Sequence, residues 1–138
     1  MVIHKHLKLQ TRGHRDFHDL TDGVNTLIRQ SGLRTGLAHI FVAGSTAAVG
    51  TIEFEPGLQQ DLGDLLDRLI PPRPDYAHEQ AWHDGNAHSH LQATLLRPAI
   101  TIPVDGCCLV LGAWQQLFFL ECDIRPRERT IIVTLMGE

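Results

Sequence analysis

From Ala99 to Met136 the chain is a succession of four short apolar runs, and no other feature limits its fold as much. Ala99–Val104, Cys107–Gly112, Leu117–Asp123 and Thr130–Met136 are each of strand length and rich in β-branched or aromatic residues. The Asp105-Gly106 pair between the first two has the composition of a hairpin turn. Strands this close in sequence pair antiparallel, because a parallel pair needs a long crossover between its members.

The earlier part of the chain supplies helices to cover such a sheet. Val2–Arg12 alternates loosely and reads as a strand. Thr21 or Asp22 can cap a helix running through Gln30, with Leu20, Val24, Leu27 and Ile28 at helical spacing and Gly32 as its stop. Leu37–Ala43 is a buried strand, Gly44-Ser45-Thr46 a small-residue turn, and Ala47–Phe54 a second strand. Pro56 suits the first turn of the next helix, whose stripe of Leu58, Leu62, Leu65, Leu66 and Leu69 reads as core contact. Pro71-Pro72-Arg73-Pro74 ends that helix. Asp75–Asn86 has no periodicity and reads as a long irregular segment, the kind that carries function in a small domain. Ala87–Leu96 reads as a short helix, since Leu91 and Leu95 are four apart. Six or seven strands with about three helices give an α+β fold: a mainly antiparallel β-sandwich with the helices packed on it, in one domain spanning residues 1–138.

Composition agrees and removes some function classes. With 138 residues, 43% of them hydrophobic, the chain can bury one core. A net charge of −4 offers no basic field to nucleic acid or anionic lipid. No apolar run is long enough for a signal peptide or a membrane span, so a soluble cytoplasmic protein is expected. Cys107, Cys108 and Cys122 sit in apolar runs without CxxC spacing and read as small hydrophobes in a reducing compartment.

Four of the nine histidines fall between His78 and His90, in the stretch from Tyr76. Imidazole is the commonest protein ligand for transition metals and titrates near neutrality, so the cluster points to a metal or to acid–base chemistry; a solvated polar loop has the same composition. His88 and His90 would share one face on a strand, whereas on a helix they diverge by about 200°. Other candidates are weaker singly. Glu53 and Glu55 close a strand before a helix, where Glu55 favours the helix N-terminus and Glu53 is either exposed or a base. The hydroxyls and amides of Gly44-Ser45-Thr46-Ala47-Ala48 could satisfy a phosphate. Arg125, Arg127 and Arg129 could clamp one bidentately, or form an exposed charged turn. Trp114-Gln115 is a pocket wall or an interface.

Together these segments resemble the YjbQ-like family over roughly Leu33 to Gly137. The resemblance rests on GSTAA at residue 44, TIEFEPGL at 51, GNAHSH at 85, LLRPAITIPV at 95, LGAWQQLFF at 111 and RPRERTIIV at 125. The stretch Ala99–Leu117 is similar to the family signature, with Ala113 where the family has threonine and Ala99 in place of its leading serine. Family members are often described as secondary thiamine-phosphate synthases. The resemblance therefore implies an α+β sandwich, a homotrimer with a polar pocket near subunit boundaries, and a transferase that joins a pyrimidine diphosphate to a thiazole phosphate with release of pyrophosphate. Most members carry H-T-T-A-A where this chain has Gly44-Ser45-Thr46-Ala47-Ala48, and aspartate where it has His88. His88 is thus expected to replace an imidazole lost at Gly44.

The expected site has His78, His88, His90 and Glu53 as catalytic groups. Ser45, Thr46, Asn86, Trp114, Gln115, Arg125 and Arg127 are expected on a phosphorylated small-molecule substrate, with the two arginines from the same or a neighbouring subunit. His78, His88 and His90 are the candidate ligands of a divalent metal, zinc or magnesium. Metal-assisted hydrolysis of a phosphate ester, with Glu53 as base, and anion binding by a trimer without catalysis are the competing expectations.

Overall fold

The computed structural model describes residues 1–138. Eight strands and four helices follow one another as β1 (Val2–Gln10), β2 (Asp16–Asp19), α1 (Thr21–Ser31), β3 (Gly36–Val42), β4 (Ala47–Ile52), α2 (Pro56–Leu69), α3 (Ala77–Trp82), α4 (Ala87–Leu96), β5 (Ala99–Asp105), β6 (Cys108–Leu109), β7 (Gln116–Glu121) and β8 (Glu128–Gly137). The strands form two wholly antiparallel sheets, a five-stranded one ordered β1-β8-β3-β5-β6 and a three-stranded one ordered β2-β7-β4.

Period-two alternation along β7 and β8 explains the layering. Ile131, Val133 and Leu135 of β8 meet Leu117 and Phe119 of β7 between the sheets, with Val24 and Ile28 of α1 completing the main core. The alternate residues of β7, Phe118 and Leu120, face the other way and pack with Leu66 of α2 and Ala93 of α4. β7 is therefore buried on both faces, and the order of layers is large sheet, small sheet, then α2 and α4, with α1 packed into the core between the sheets. Each core aliphatic or phenyl side chain contributes about 1.5–3 kcal/mol by leaving water.

Several local readings hold. Gly32 ends α1 in the left-handed conformation at φ 79°, and Pro56 opens α2, where the Glu55 carboxylate accepts from the amides of Gly57 and Leu58. The hairpin read at Asp105-Gly106 is present but one residue later: Asp105 pairs with Cys108, and the two residues between, Gly106 (φ 56°) and Cys107 (φ 64°), both have positive φ, as a type I′ turn requires, with the following strand confined to Cys108–Leu109.

Others need correction. β2 and α3 are too short to show a pattern, and α3 lies inside the stretch read as irregular. Neither Thr21 nor Asp22 caps α1: Asp19 accepts from the Thr21 amide, and the Thr21 hydroxyl accepts from Leu117 N. The leucine stripe of α2 is split. Leu66 is buried and Leu62 packs beside it, while Leu58, Leu65 and Leu69 are exposed, because only one edge of the helix meets the small sheet. β4 ends at Ile52, which leaves Glu53 outside the strand and exposed.

Candidate functional site

At the end of β7 the apolar alternation is broken by charge. Glu121 is in phase with Leu117 and Phe119, and Arg129 with Ile131, Val133 and Leu135, so both enter the space between the sheets. Glu121 is 0% exposed and Arg129 7%. Buried charges are tolerated only when paired and fully hydrogen-bonded. Arg129 Nε donates to Glu121 Oε2 at 2.8 Å, and its Nη2 donates to Glu121 Oε1 and to Thr46 Oγ1. Thr11 Oγ1 and the Asp123 amide also donate to Glu121.

The network continues through Thr46, whose hydroxyl donates to Asp123 Oδ2 at 3.0 Å. Arg127 donates to the same oxygen from Nε (3.0 Å) and Nη2 (2.9 Å). Burial opposes ionisation of Asp123, but hydrogen bonds from the Ile124 amide, Thr46 and Arg127 outweigh it and hold the carboxyl below the usual carboxylate range.

One edge of Arg129 is left over. Its Nη1 makes no hydrogen bond and stands where a side chain of residue 44 would be: a Cβ on Gly44 would lie 2.6 Å from it. Glycine at this turn thus opens the guanidinium to a cavity of about 400 Å³. Ser45, Thr46, Arg127 and Arg129 line it on one side, and Asp84, Asn86 and His90 on the other.

The histidines divide. His88 and His90 lie in the first turn of α4 and diverge, as helical spacing requires. His90 meets His78 of α3, ring centroids 4.8 Å apart, and His78 Nε2 lies 3.2 Å from the Asn86 side-chain amide and 3.4 Å from Asp84 Oδ1. Glu79 holds this corner in place by accepting from the Gly85 and Ala87 amides. His88 is instead buried against His14, centroids 5.6 Å apart. Burial, and then His14, lower its pKa. The imidazole that shares a cavity with Gly44 is that of His90, so the lining gives no support to His88 as the replacement for a lost histidine.

No three histidine, cysteine, aspartate or glutamate side chains converge as a ready-made metal cage. Asp84 and Glu128 do line the cavity as oxygen donors unpaired with arginine.

The remaining expected residues lie elsewhere. In the β4–β7 pairing Ala47 opposes Glu121 at the site end, and Ile52 opposes Gln116 at the other. Glu53, Trp114 and Gln115 belong to that far end, about 17 Å away along the strand. Trp114 is 77% exposed, and Gln115 bonds the Gly112 amide and the Thr51 hydroxyl. Arg125 is exposed and lines no cavity.

Sequence reasoning named Arg129 only as one of three candidate phosphate-clamping arginines and left it out of the expected site, and it passed over Glu121, Asp123 and His14. Arg129 had a readable signal, its odd-number phase with Ile131, Val133 and Leu135. His14, whose Nδ1 lies 3.2 Å from the Cys122 carbonyl and whose Nε2 lies 3.3 Å from Asp67, had none, since both partners are distant in sequence.

The model of the UPF0047 protein YjbQ-like family matches residues 5–138. A UPF0047 protein of Methanothermobacter thermautotrophicus is 36% identical over 99% of this chain and 94% of its own length. The UPF0047 protein YugU of Bacillus subtilis is 28% identical over 96% of this chain and 98% of its own. Among solved structures, a YbjQ-like protein of unknown function from Sulfolobus solfataricus superposes with a TM-score of 0.92 at 35% identity, covering 100% of this chain and 99% of that one. A hypothetical protein from Aeropyrum pernix gives 0.90 at 34% identity, with 99% of each chain covered. The alternating strands, the GSTAA turn and the GNAHSH helix start thus sit in a fold shared along its whole length, and the chain belongs to the UPF0047 YjbQ-like family.

Proposed function

We propose that the cavity between Gly44 and His90 is the active site of a transferase acting on a phosphorylated small molecule, and that it joins a pyrimidine diphosphate to a thiazole phosphate. The observation that carries this reading is the free Nη1 edge of Arg129. Glu121 and Thr46 hold the guanidinium, and glycine at 44 leaves Nη1 with no side chain against it, in a cavity that Ser45 also lines. A preorganised donor beside hydroxyls suits a phosphate oxygen.

In this reaction the thiazole nitrogen lone pair forms a new C–N bond to the pyrimidine CH2 group. The C–O bond breaks with its electron pair going to the departing pyrophosphate. The leaving group therefore gains charge as the bond lengthens, and stabilising that charge is the main catalytic task. Arg129 Nη1, the Ser45 hydroxyl and Arg127 are the donors for it. His90, opposite them, can donate a proton or hydrogen bond to a phosphate oxygen.

Asp84 and Glu128 are the cavity's carboxylates without an arginine partner, and they would be the ones offered to a hard divalent cation such as magnesium. That ion is usually held by one or two carboxylates together with substrate phosphates rather than by an all-protein cage. When bound, it would neutralise phosphate charge.

The protein is further proposed to act as a cytoplasmic homotrimer. Exposed Trp114 supports assembly, and through it Glu53, Trp114, Gln115 and Arg125 would serve a neighbour's cavity.

A second reading, hydrolysis of a phosphate ester, draws on the close approach of His78, Asp84 and His90. One assay separates the two. Purified protein with magnesium and both substrates is expected to release pyrophosphate only when the thiazole phosphate is present, with equimolar thiamine phosphate formed. Phosphate release independent of the thiazole would replace synthesis by hydrolysis, and no turnover of either kind would leave a binding protein.

A further inference from the structure

α2 packs on the small sheet yet leaves apolar side chains uncovered on its far side. Leu58, Leu65 and Leu69 are 37%, 42% and 61% exposed, while Leu66 on the sheet side is buried. At 100° per residue the three exposed leucines fall within about 40° of arc, so they form one stripe along the outer face of the helix.

Charge borders that stripe on one flank. Asp61 and Arg68 are exposed, and on the helix they point within about 20° of each other. Seven residues separate them, about 10 Å along the axis, which is too far to pair within one helix. Neither has an ion-pair partner elsewhere in the chain; the α2 acids that do, Asp64 and Asp67, both meet Arg15. Arg68, in the last turn, suits the negative end of the helix by itself. Asp61, in the second turn, gains nothing from the helix dipole.

We infer that this stripe pairs antiparallel with the same stripe of a second copy, about a two-fold axis beside Leu65. Such an axis keeps the charged flanks of both helices on one side of the seam. Asp61 lies four residues before Leu65 and Arg68 three after it. The partner's Arg68 therefore comes within roughly 1.5 Å of the height of Asp61, and the pair forms twice. A parallel arrangement puts the two flanks on opposite sides and forms neither pair. The leucines contribute apolar contact, and the ion pairs fix direction and register. A strip one helix long and one helix wide, roughly 20 by 10 Å, is far smaller than the ~800 Å² per partner of a standard interface. The contact is therefore weak and concentration-dependent. It is separate from the assembly proposed above, since a ring of three closes through unlike surfaces whereas this face matches itself. It rests on neither the proposed reaction nor the trimer.

Sedimentation equilibrium of the full chain, from micromolar to millimolar protein, tests the contact. The smallest species should double in mass as concentration rises, from one chain to two or, with the trimer as the unit, from three to six. Asp61→Arg and Arg68→Asp are each expected to raise the dissociation constant of that doubling about tenfold, which is ~1.4 kcal/mol, because two attractive pairs become repulsive. Both changes together restore the pairs with their signs exchanged, and should bring the constant back to within about threefold of the wild type. Leu65→Lys should abolish doubling and leave the urea midpoint unchanged, since Leu65 is exposed. No doubling at millimolar protein, doubling that persists in Leu65→Lys, or a double variant no tighter than the single ones would overturn the two-fold contact.

Discussion

Arg129 and Glu121, eight residues apart in sequence and on adjacent ends of different sheets, form a buried ion pair in which Nε donates to Oε2 at 2.8 Å. Both partners are buried, so removing either leaves an uncompensated charge. Arg129→Met or Glu121→Gln is expected to destabilise the protein by about 3–5 kcal/mol, read as a lower urea midpoint. Replacing both with apolar residues of similar volume should recover most of that loss while abolishing pyrophosphate binding. Recovery of binding in the double variant would show that the pair serves packing alone.

Gly44 supplies a narrower probe of the same corner. A Cβ there would meet Arg129 Nη1 at 2.6 Å, and the guanidinium cannot swing away without losing Glu121 and Thr46. Gly44→Ala should cost about 1–3 kcal/mol as overpacking and weaken pyrophosphate binding at least tenfold. Unchanged affinity by calorimetry would mean that Nη1 is not a ligand-facing donor.

How much of this was legible in the sequence follows from the range of each interaction. Gly32, Pro56 and the existence of the β5–β6 turn are readable because φ preference and capping are local, although the turn read at Asp105-Gly106 falls one residue later, on Gly106-Cys107. The divergence of His88 and His90 was likewise implied by 3.6-residue periodicity once Ala87–Leu96 was taken as a helix. The meeting of Glu121 with Arg129, and of His14 with Asp67, depends on strand order and on a helix crossing a sheet, which no local pattern encodes. Exposure of Leu58, Leu65 and Leu69 was missed for the same reason, since a stripe records which face is apolar but not how much of it finds a partner.

His88 should leave a signature in the pH dependence of stability. Burial, assisted by His14, holds its pKa below the ordinary 6.5, against the opposing influence of Asp67, Glu79 and Asp123. The unfolded chain therefore takes up this proton first. Stability from His88 is full above about pH 6.5 and falls as pH drops through that value toward the folded pKa. Asp16, Asp67 and Asp123 also have lowered pKa values, and their contribution is present above about pH 4 and lost below it. In His88→Gln the decline of the urea midpoint that sets in below about pH 6.5 should flatten, while the steeper loss in acid persists. Parallel profiles for the two proteins would contradict this assignment.

The cysteines should differ in reactivity. Cys122 is buried, and desolvation together with Glu121 pushes its thiol up to about 12. Cys107 and Cys108 are half-buried at the β5–β6 hairpin. Iodoacetamide at pH 8 should modify Cys107 and Cys108 and spare Cys122 in native protein, with all three labelled in denaturant. Peptide mass mapping reads the outcome, and rapid native labelling of Cys122 would show that the helix layer opens readily.

The site itself is tested most directly by titrating isotopically labelled protein with magnesium pyrophosphate and following backbone amide shifts. We expect saturable shifts centred on Gly44, Ser45, Thr46, Asp84, Asn86 and His90, lost in Arg127→Ala. Shifts centred on Arg15, Gln59 and Gln60, which line a separate cavity, or none at millimolar ligand, would contradict the placement of the active site between Gly44 and His90.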